Sequence, residues 1–597
     1  MRRVACWIMF YLLLANILIS AFNLQPVKAE PRTWIVDDDG PADFRTIGAA
    51  VKAASDGDTI FVRKGTYYEN VIVNKTLMLT GENQYLTIID GNKIGWVVII
   101  ASNNTVFENF TVKNGGAMES GGGGVLVGGY QYKLNNCSIK KVQVTSNFFG
   151  IGLDSSSNVK LREVNLSNNY VNFGVVGEEL SNFIHDIDSS NLIDNSPIYY
   201  LVNQKGLVIN SNSYPNVGYL ALVNCTQMTV ENLTLNGNMQ GLLLAYSSNC
   251  SIRYNYATNN GAGINLVSST YNTIKENSVS NNGHGILLYG TLYRSSHNQI
   301  VGNIITNNYI GAVLWRADQN VFSKNYVVNN SYLCEEYCVS GGIYLWQSHH
   351  NNVYENDIIN NSFGANLEDA NNNCIYHNNF INNTFHTHIM GSAFGLTCTW
   401  DNGYPSGGNY WSNCTNVDLY SGPYQNETGS DGIGDTPYII NAENIDKYPL
   451  MAPYKALDVG VWNDVSYHVD IISNSSVTDI QFNPDIGPFL KFNVTGDDGT
   501  TGFCRVTIPK SLLWAEDGWV ITVGENLITN YIKTEDENYT YLFFTYNHTT
   551  HIVIIQGTHV IPEFPLAVIP AILMVLIIFI AASVKKRKLP QNIFTNS

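Results

Sequence analysis

A glycine-led motif returns along this chain at a nearly constant interval and constrains the fold more than any other feature. Gly241, Gly263 and Gly285 are 22 residues apart, as are Gly342 and Gly364, and each begins a short apolar segment. Asparagines recur at similar intervals in two sets. Single asparagines stand at Asn255, Asn277, Asn303, Asn325, Asn356 and Asn378. Asparagine pairs begin at Asn259, Asn281, Asn307, Asn329, Asn360 and Asn382. Internal repeats of this length indicate a solenoid.

The residues inside each repeat are typical of strands and turns. Ile286 and Leu288 alternate with other residues, as do Ile343 and Leu345, and Asn, Gly and Ser separate such segments. This period of two indicates β-strands, and Asn and Gly tolerate the left-handed backbone that sharp corners need. Stacked coils place identical Asn side chains above one another, where they form hydrogen-bonded ladders. The sequence therefore predicts an all-β fold, a right-handed parallel β-helix solenoid.

The two ends of the chain predict an exported and anchored protein. Residues 1–29 combine two arginines, an apolar stretch and small residues at the cleavage positions, as in a signal peptide, with an uncleaved anchor as the alternative. Residues 566–584 carry no charge and are long enough to span a bilayer, so 559–584 are expected to be a linker and a transmembrane helix. The basic residues that follow predict a cytoplasmic tail at 585–597. We therefore expect a single-pass membrane protein with its body at the cell surface.

The net charge and the composition of the chain limit the kinds of partner that we expect it to bind. The net charge of -17 argues against a nucleic acid as a partner. Asn-X-Ser/Thr tripeptides are frequent, as expected for a secreted glycoprotein, although a chain rich in Asn and Ser also produces them by chance.

The start of the repeat region carries a resemblance to a known family. Five segments resemble the first coils of pectate-lyase-like β-helix proteins. They are Asp37-Asp-Asp-Gly, Phe44-Arg-Thr-Ile, Asp56-Gly-Asp-Thr-Ile, Gly65-Thr-Tyr-Tyr-Glu and Thr87-Ile-Ile-Asp-Gly. They are most similar to prokaryotic surface proteins with NosD-type repeats, and NosD is a periplasmic accessory protein of nitrous-oxide reduction described as copper-binding. The resemblance implies a β-helix with an N-terminal cap at 30–395.

Two further segments follow the repeats. Residues 396–455 leave the repeat pattern, and Gly407-Gly-Asn-Tyr-Trp-Ser and Ser430-Asp-Gly-Ile-Gly-Asp resemble the exit segment of the same surface proteins. Residues 456–558 show short alternating strands without Asn pairs, which predicts a membrane-proximal β-sandwich.

No catalytic residue is identified. Gly283-His284-Gly285 matches a tripeptide of polygalacturonases, but the preceding coil has no outward carboxylate, and glycoside hydrolysis needs a pair. We therefore interpret His284 as a turn residue. A polysaccharide lyase or hydrolase stays open as an alternative function.

Two groups of residues are candidate metal ligands. His386, His388 and Met390 alternate and are expected to share a face, and His and Met are copper ligands; copper is otherwise implied only by the family resemblance, and solvated histidines are the alternative. Asp431 and Asp435 flank a Gly-Ile-Gly turn with the oxygen density of a calcium site. The alternative is a turn that the aspartates stabilise by bonds to the backbone.

A row of outward side chains is the main candidate binding surface. With the alternating apolar residues directed inward, successive coils turn outward Tyr289, Trp315, Tyr344, Trp346, Asn366 and Glu368. Exposed aromatic patches mark interaction sites, and a flat row suits stacking on sugar rings. The predicted function is recognition or envelope structure with a polysaccharide or surface glycan as ligand. The alternative is that the rings pack under neighbouring loops.

Overall fold

The structure is a computed structural model that describes residues 30–116, 121–129, 132–331, 340–391, 397–462 and 464–560. These residues form two compact units. The first contains most of the chain up to Val202, and the second contains most of the chain from Asn203 onward.

The first unit begins with a short helix on the first coils. The helix spans Ile47–Ala53 and buries Ile47, Ala50 and Val51. The carboxylate of Glu69 accepts hydrogen bonds from the backbone N–H groups of Ile47 and Gly48 at 2.8 and 2.9 Å, which pairs donors that a helix start leaves free. A short 3₁₀ helix spans Leu180–Phe183.

Most strands of the first unit pair in parallel as coils, whereas Leu192–Ile193 and Ser196–Val202 pair antiparallel. The strands of this unit are Thr33–Val36, Thr59–Val62, Gly65–Tyr68, Val71–Val73, Met78–Gly81, Thr87–Asp90, Trp96–Ile100, Val106–Lys113, Gly123–Gly128, Leu134–Asn135, Ser138–Thr145, Phe149–Asp154, Ser156–Ser157, Lys160–Arg162, Asn165–Ser167, Val171–Val176, Asp186–Ile187, Leu192–Ile193 and Ser196–Val202.

The second unit contains three parallel sheets of the predicted right-handed parallel β-helix. The first sheet, which carries the candidate surface, contains Tyr219–Val223, Gln240–Ala245, Ala262–Val267, His284–Tyr289, Ile310–Trp315, Gly341–Trp346, Phe363–Glu368 and Phe385–Met390. The second contains Val208–Ile209, Thr229–Glu231, Ser251–Arg253, Thr273–Lys275, Gln299–Val301, Val321–Ser323, Asn352–Tyr354 and Cys374–Tyr376. The third contains Thr234–Asn236, Tyr256–Thr258, Ser278–Ser280, Ile304–Thr306, Tyr326–Val328, Asp357–Ile359, Asn379–Ile381 and Tyr410–Trp411.

The predicted asparagine ladders are confirmed. In the first, the side chain of Asn277 donates to Asn303 Oδ1 at 3.0 Å, and Asn303 donates to Asn325 Oδ1 at 3.0 Å. The second ladder uses the second member of each Asn pair, while the first members have positive φ and lie in the turns. A third ladder, which the sequence analysis did not identify, links Asn272, Asn298, Asn320, Asn351 and Asn373.

An antiparallel sandwich follows the coils in the second unit. One sheet contains Tyr454–Trp462, Val465–Ser473, Thr501–Pro509, Tyr531–Glu535 and Tyr539–Asn547, and the other contains Ser476–Phe482, Phe489–Thr495, Val520–Val523, Asn526–Ile528 and Thr550–Gln556. Short pairs are formed by Tyr420–Ser421 with Glu427–Thr428, Tyr438–Ile439 with Ile445–Asp446, and Leu513–Trp514 with His559–Val560. Asn379 joins sandwich to coils, because its side chain donates to Tyr454 O and accepts from Tyr454 N.

The predicted single-pass membrane localisation is corrected by the structure. Within the described ranges, no helix is both long enough and apolar enough to cross a bilayer. The predicted signal peptide at 1–29, the predicted span at 566–584 and the predicted tail at 585–597 lie outside the described residues.

Candidate functional site

The outer face of the first sheet has the register that strand alternation predicts. Ile286, Ala312, Ile343 and Ala365 are directed inward and are almost completely buried. The strand pairing then aligns two outward rows along the coils, Leu287, Val313, Tyr344 and Asn366 in one, and Tyr289, Trp315, Trp346 and Glu368 in the other. The structure therefore brings all six candidate ligand-binding residues to one face.

The aromatic rings on this face stack on one another. The rings of Trp315 and Trp346 are 4.3 Å apart at an angle of 25°, and those of Tyr289 and Trp315 are 4.8 Å apart at 60°. Because the faces of Trp315 and Trp346 cover each other, this column presents ring edges to solvent rather than the flat platform expected from the sequence. The ring of Tyr344 also lies nearly parallel to that of Trp346, at 6.3 Å and 17°, and Glu368 in the next coil has the same register as Trp346.

Two of the residues expected to be exposed are buried. Tyr344 is 8% exposed and Asn366 is 2% exposed. The Tyr344 hydroxyl donates to Glu368 Oε2, and burial together with this bond raises the pKa of the tyrosine well above its usual range. The ring of His388 lies with Nδ1 3.3 Å from Asn366 Oδ1. A carboxylate, an amide and an imidazole thus lie in the two coils that follow Trp346.

One inserted loop closes the edge of this face. Arg294 lies in the insertion after Tyr289, and its guanidinium donates to Asp318 Oδ1 at 2.9 Å and to Gln347 O at 2.7 Å. The insertion is therefore tied across the following coils. A second insertion in the repeat, at residues 334–340, lies mostly outside the described residues.

The prediction that His386 shares a face with His388 and Met390 is wrong. His386 occupies the position that Gly364 holds in the preceding coil, where an added Cβ would lie 2.9 Å from the buried Phe380 ring. His386 is accordingly directed inward, is 6% exposed, and has Nε2 3.3 Å from Ser412 Oγ. Strand alternation misses this because a Cβ at the glycine position is directed at the core atoms of Phe380 and Asn383.

The aspartates considered as calcium ligands bind backbone N–H groups. Asp431 Oδ1 accepts from Ile433 N at 3.0 Å, and the carboxylate of Asp435 accepts from the N–H groups of Leu419 and Tyr420 at 3.0 and 3.1 Å. Burial raises the pKa of Asp431, and the nearby Arg505 guanidinium opposes that rise. These contacts are those of the turn alternative, and the calcium site stays a prediction.

The interpretation of His284 as a turn residue is corrected. His284 is the first residue of the strand His284–Tyr289, and it pairs with Ala262 and Ile310 in the neighbouring coils. Burial lowers its pKa.

A cavity of about 450 Å³ at the end of the coils was not predicted from the sequence. Its walls combine the turn around Thr384 and Phe385 with Ser412 and Tyr438 of the exit segment. Because these two stretches are far apart in the sequence and the exit segment is not a repeat, no periodic signal connects them.

Comparison with known proteins supports the resemblance noted above. Residues 184–340 and 337–416, together less than half of the chain, match the model of the family described as "Periplasmic copper-binding protein (NosD)". Pectinesterase 2.1 of Solanum lycopersicum is 35% identical over 85 residues, which is 13% of this chain and 14% of that protein.

Solved structures match this chain at low similarity. The A-module of the mannuronan C-5 epimerase AlgE6 of Azotobacter vinelandii has 14% identity and a TM-score of 0.24, covering 59% of this chain and 92% of that chain. The DFA-IIIase of Arthrobacter chlorophenolicus A6 in complex with GF2 has 11% identity and a TM-score of 0.26, covering 59% and 93%. The Dettilon tailspike protein has 12% identity and a TM-score of 0.26, covering 85% and 89%. At these scores the likeness carries no argument about activity.

Proposed function

We propose that this NosD-like parallel β-helix protein binds carbohydrate at the end of its aromatic row. The observation that carries the proposal is the half-buried Trp346 ring, which the strand register aligns with Glu368 in the next coil. We also propose a periplasmic or extracellular location, in line with the description of the matched family.

The chemistry of this place suits a sugar ring. A pyranose has one apolar C–H face and a rim of hydroxyl groups, so it is bound by an aromatic face beside side chains that donate and accept hydrogen bonds. Trp346 supplies the aromatic face. Glu368 accepts hydrogen bonds, and the imidazole of His388 is able to donate or to accept. A few polar groups that fix orientation beside an apolar surface are the usual composition of a ligand site.

The stacking of the rings limits the size of this subsite. Trp315 and Trp346 cover each other, so a saccharide does not lie across both faces. One sugar ring on Trp346, with hydroxyl contacts to the two following coils, is the arrangement that the geometry supports. Trp315 then holds the Trp346 ring in place instead of binding the ligand directly.

Copper is the group that the family description implies, and the residues present do not fit it. His388 and Met390 have the ligand types that copper accepts and lie on one outward face. His386 is turned inward beside Ser412, which leaves one imidazole and one thioether, fewer than the three strong ligands of a trigonal copper site. We therefore assign no copper chemistry to this face.

The experiment is calorimetric titration of the protein with the best saccharide from a glycan array. Trp346→Ala is expected to weaken binding about tenfold, because ring stacking contributes roughly 0.5–1.5 kcal/mol beyond the buried area. Glu368→Gln is expected to weaken it by several-fold, because a hydrogen bond to a charged group contributes about 1.5–3 kcal/mol and the amide retains part of it.

The matched control is Trp514→Ala, which removes a half-buried tryptophan that stacks on His559 in the sandwich. This control should leave the affinity unchanged. Absence of any saccharide binding, or an affinity that neither Trp346→Ala nor Glu368→Gln alters, would contradict the proposed function.

A further inference from the structure

The cavity at the end of the coils is lined by polar side chains that carry no permanent charge. It lies between the start of the strand Phe385–Met390 and the exit segment, and its walls include Asn382, Thr384, Thr387, Ser412, Asn413 and Tyr438. No Asp, Glu, Lys or Arg is among its described lining residues. Metal ions such as calcium bind carboxylates and phosphates bind Arg or Lys, so neither class of ligand matches these walls.

Several hydrogen-bonding groups of the cavity are available to a ligand. Within the described part of the chain, the hydroxyls of Thr384 and Thr387 and the side-chain amide of Asn382 have no hydrogen-bond partner. The Tyr438 hydroxyl donates to Asn413 Oδ1 at 3.2 Å, which orients that amide. Together these groups offer both donors and acceptors, as hydroxyl-rich ligands require.

The histidine in the cavity wall adds one further hydrogen-bond donor and one further acceptor. His386 Nε2 lies 3.3 Å from Ser412 Oγ, and that oxygen also accepts from Asn382 N at 2.9 Å. Burial lowers the pKa of His386, so the ring is neutral near pH 7 and keeps one donor and one acceptor nitrogen. The wall is therefore uncharged at neutral pH.

An aromatic ring completes the cavity. Phe385 is 57% exposed, and one face of its ring stacks on Phe363 of the preceding coil at 5.2 Å. Phe385 is also one of the residues that line the cavity, so an exposed aromatic ring is within reach of the C–H face of a sugar there.

We propose that this cavity is a second binding site, for an uncharged saccharide unit. The inference goes beyond the site at Trp346. Phe385 and Met390 are the two ends of one strand, about 17 Å apart at ~3.3 Å per residue, and the Trp346 row ends at Met390. A volume of about 450 Å³ is within the usual range of small-molecule sites.

The test titrates the protein with glucose, galactose, mannose and cellobiose, and with glucuronate and glucosamine as charged counterparts. A neutral sugar is expected to bind, and part of this binding is expected to persist in the Trp346→Ala variant. In that background, Phe385→Ala and Thr384→Val are each expected to weaken this binding about fivefold or more. Thr384→Val keeps the side-chain shape and removes only the hydroxyl.

The outcomes separate the two sites. Binding that survives Trp346→Ala and is lost in Phe385→Ala supports the cavity even if the site at Trp346 is absent. Binding that Trp346→Ala removes completely supports the proposed function and overturns the cavity. The cavity is also overturned if no neutral sugar binds in the Trp346→Ala background, or if glucuronate or glucosamine binds there as tightly as its neutral counterpart.

Discussion

Single buried asparagines determine how one coil is attached to the next. Asn303 is completely buried, and its Oδ1 accepts from both the backbone N–H and the side chain of Asn277 at 3.0 Å. Its own side chain donates to Ile274 O at 2.9 Å and to Asn325 Oδ1 at 3.0 Å. One amide thus satisfies polar groups in three coils.

Asn303→Ala is therefore expected to destabilise the second unit strongly. Each buried group left without a partner costs about 1–3 kcal/mol, and at least two lose their partner, so a loss of roughly 2–5 kcal/mol is expected in urea unfolding. The control is Ser278→Ala at a half-exposed position of the neighbouring coil, which should change stability by less than about 0.5 kcal/mol. Equal stability of the two variants would contradict the ladder as a stabilising element.

Within single strands, the sequence determines register but not the orientation of the side chains. The two-residue alternation of inward and outward side chains correctly predicted that Trp315, Trp346 and Glu368 face outward, because neighbouring Cβ atoms point to opposite sides of a strand. It does not determine that the two indoles stack, since this depends on side-chain torsions. It also fails for His386, because a Cβ at the equivalent Gly364 of the preceding coil is directed at the buried Phe380.

The exit segment illustrates a second limit of sequence-based inference. Asp446 is completely buried and accepts from Asn409 N and Trp411 Nε1, both at 2.8 Å. In the sequence it is one of several aspartates in a Gly-rich stretch, and only the folded chain shows that it attaches this segment to the end of the asparagine ladder.

The attachment of the exit segment is expected to depend on pH. Burial raises the pKa of Asp446 to about 7, above the usual 3.8 of an unfolded aspartate. A carboxyl with a raised folded pKa contributes its full stability below about pH 4 and loses it as the pH rises through about 7. Unfolding free energy of the wild type should therefore fall across this window relative to Asp446→Asn, by on the order of a few kcal/mol.

This prediction is checked by urea unfolding at several pH values. Asp446→Asn serves as the reference, because its side-chain amide does not titrate in this range. If the difference between wild type and Asp446→Asn is constant from pH 4 to pH 8, the buried carboxyl does not titrate as expected.

At the scale of the whole molecule, the sequence repeat predicts that the coils of the second unit are interchangeable modules. The steps from Asn255 to Asn277 and from Asn356 to Asn378 are both 22 residues, and the residues inserted between Asn277 and Asn303 lie between the strands His284–Tyr289 and Gln299–Val301. In a solenoid each coil contacts mainly its neighbours, so stability is close to a sum of coil and interface contributions. This modularity was predictable from the repeat, whereas the cavity at its end was not.

Deletion of residues 255–276 is expected to give a folded protein that is one coil shorter. The deletion joins Tyr254 to Asn277, which places Asn277 in the position of Asn255 and keeps all three ladders continuous. Deletion of residues 255–265 removes half a period and should prevent folding, because it shifts apolar side chains to the surface. Circular dichroism and thermal melting distinguish the two, and equal behaviour of both deletions would contradict a modular solenoid.

The first asparagine ladder has a direction. From Asn255 to Asn378 every side-chain amide donates toward the C-terminal coil, so the amide dipoles point the same way and add, much as peptide dipoles do in a helix. The last residue of the series, Asn409, donates its backbone N–H to Asp446. The carboxylate therefore lies at the positive end of an aligned column of amides, and a change in its charge is felt electrostatically along the stack of coils.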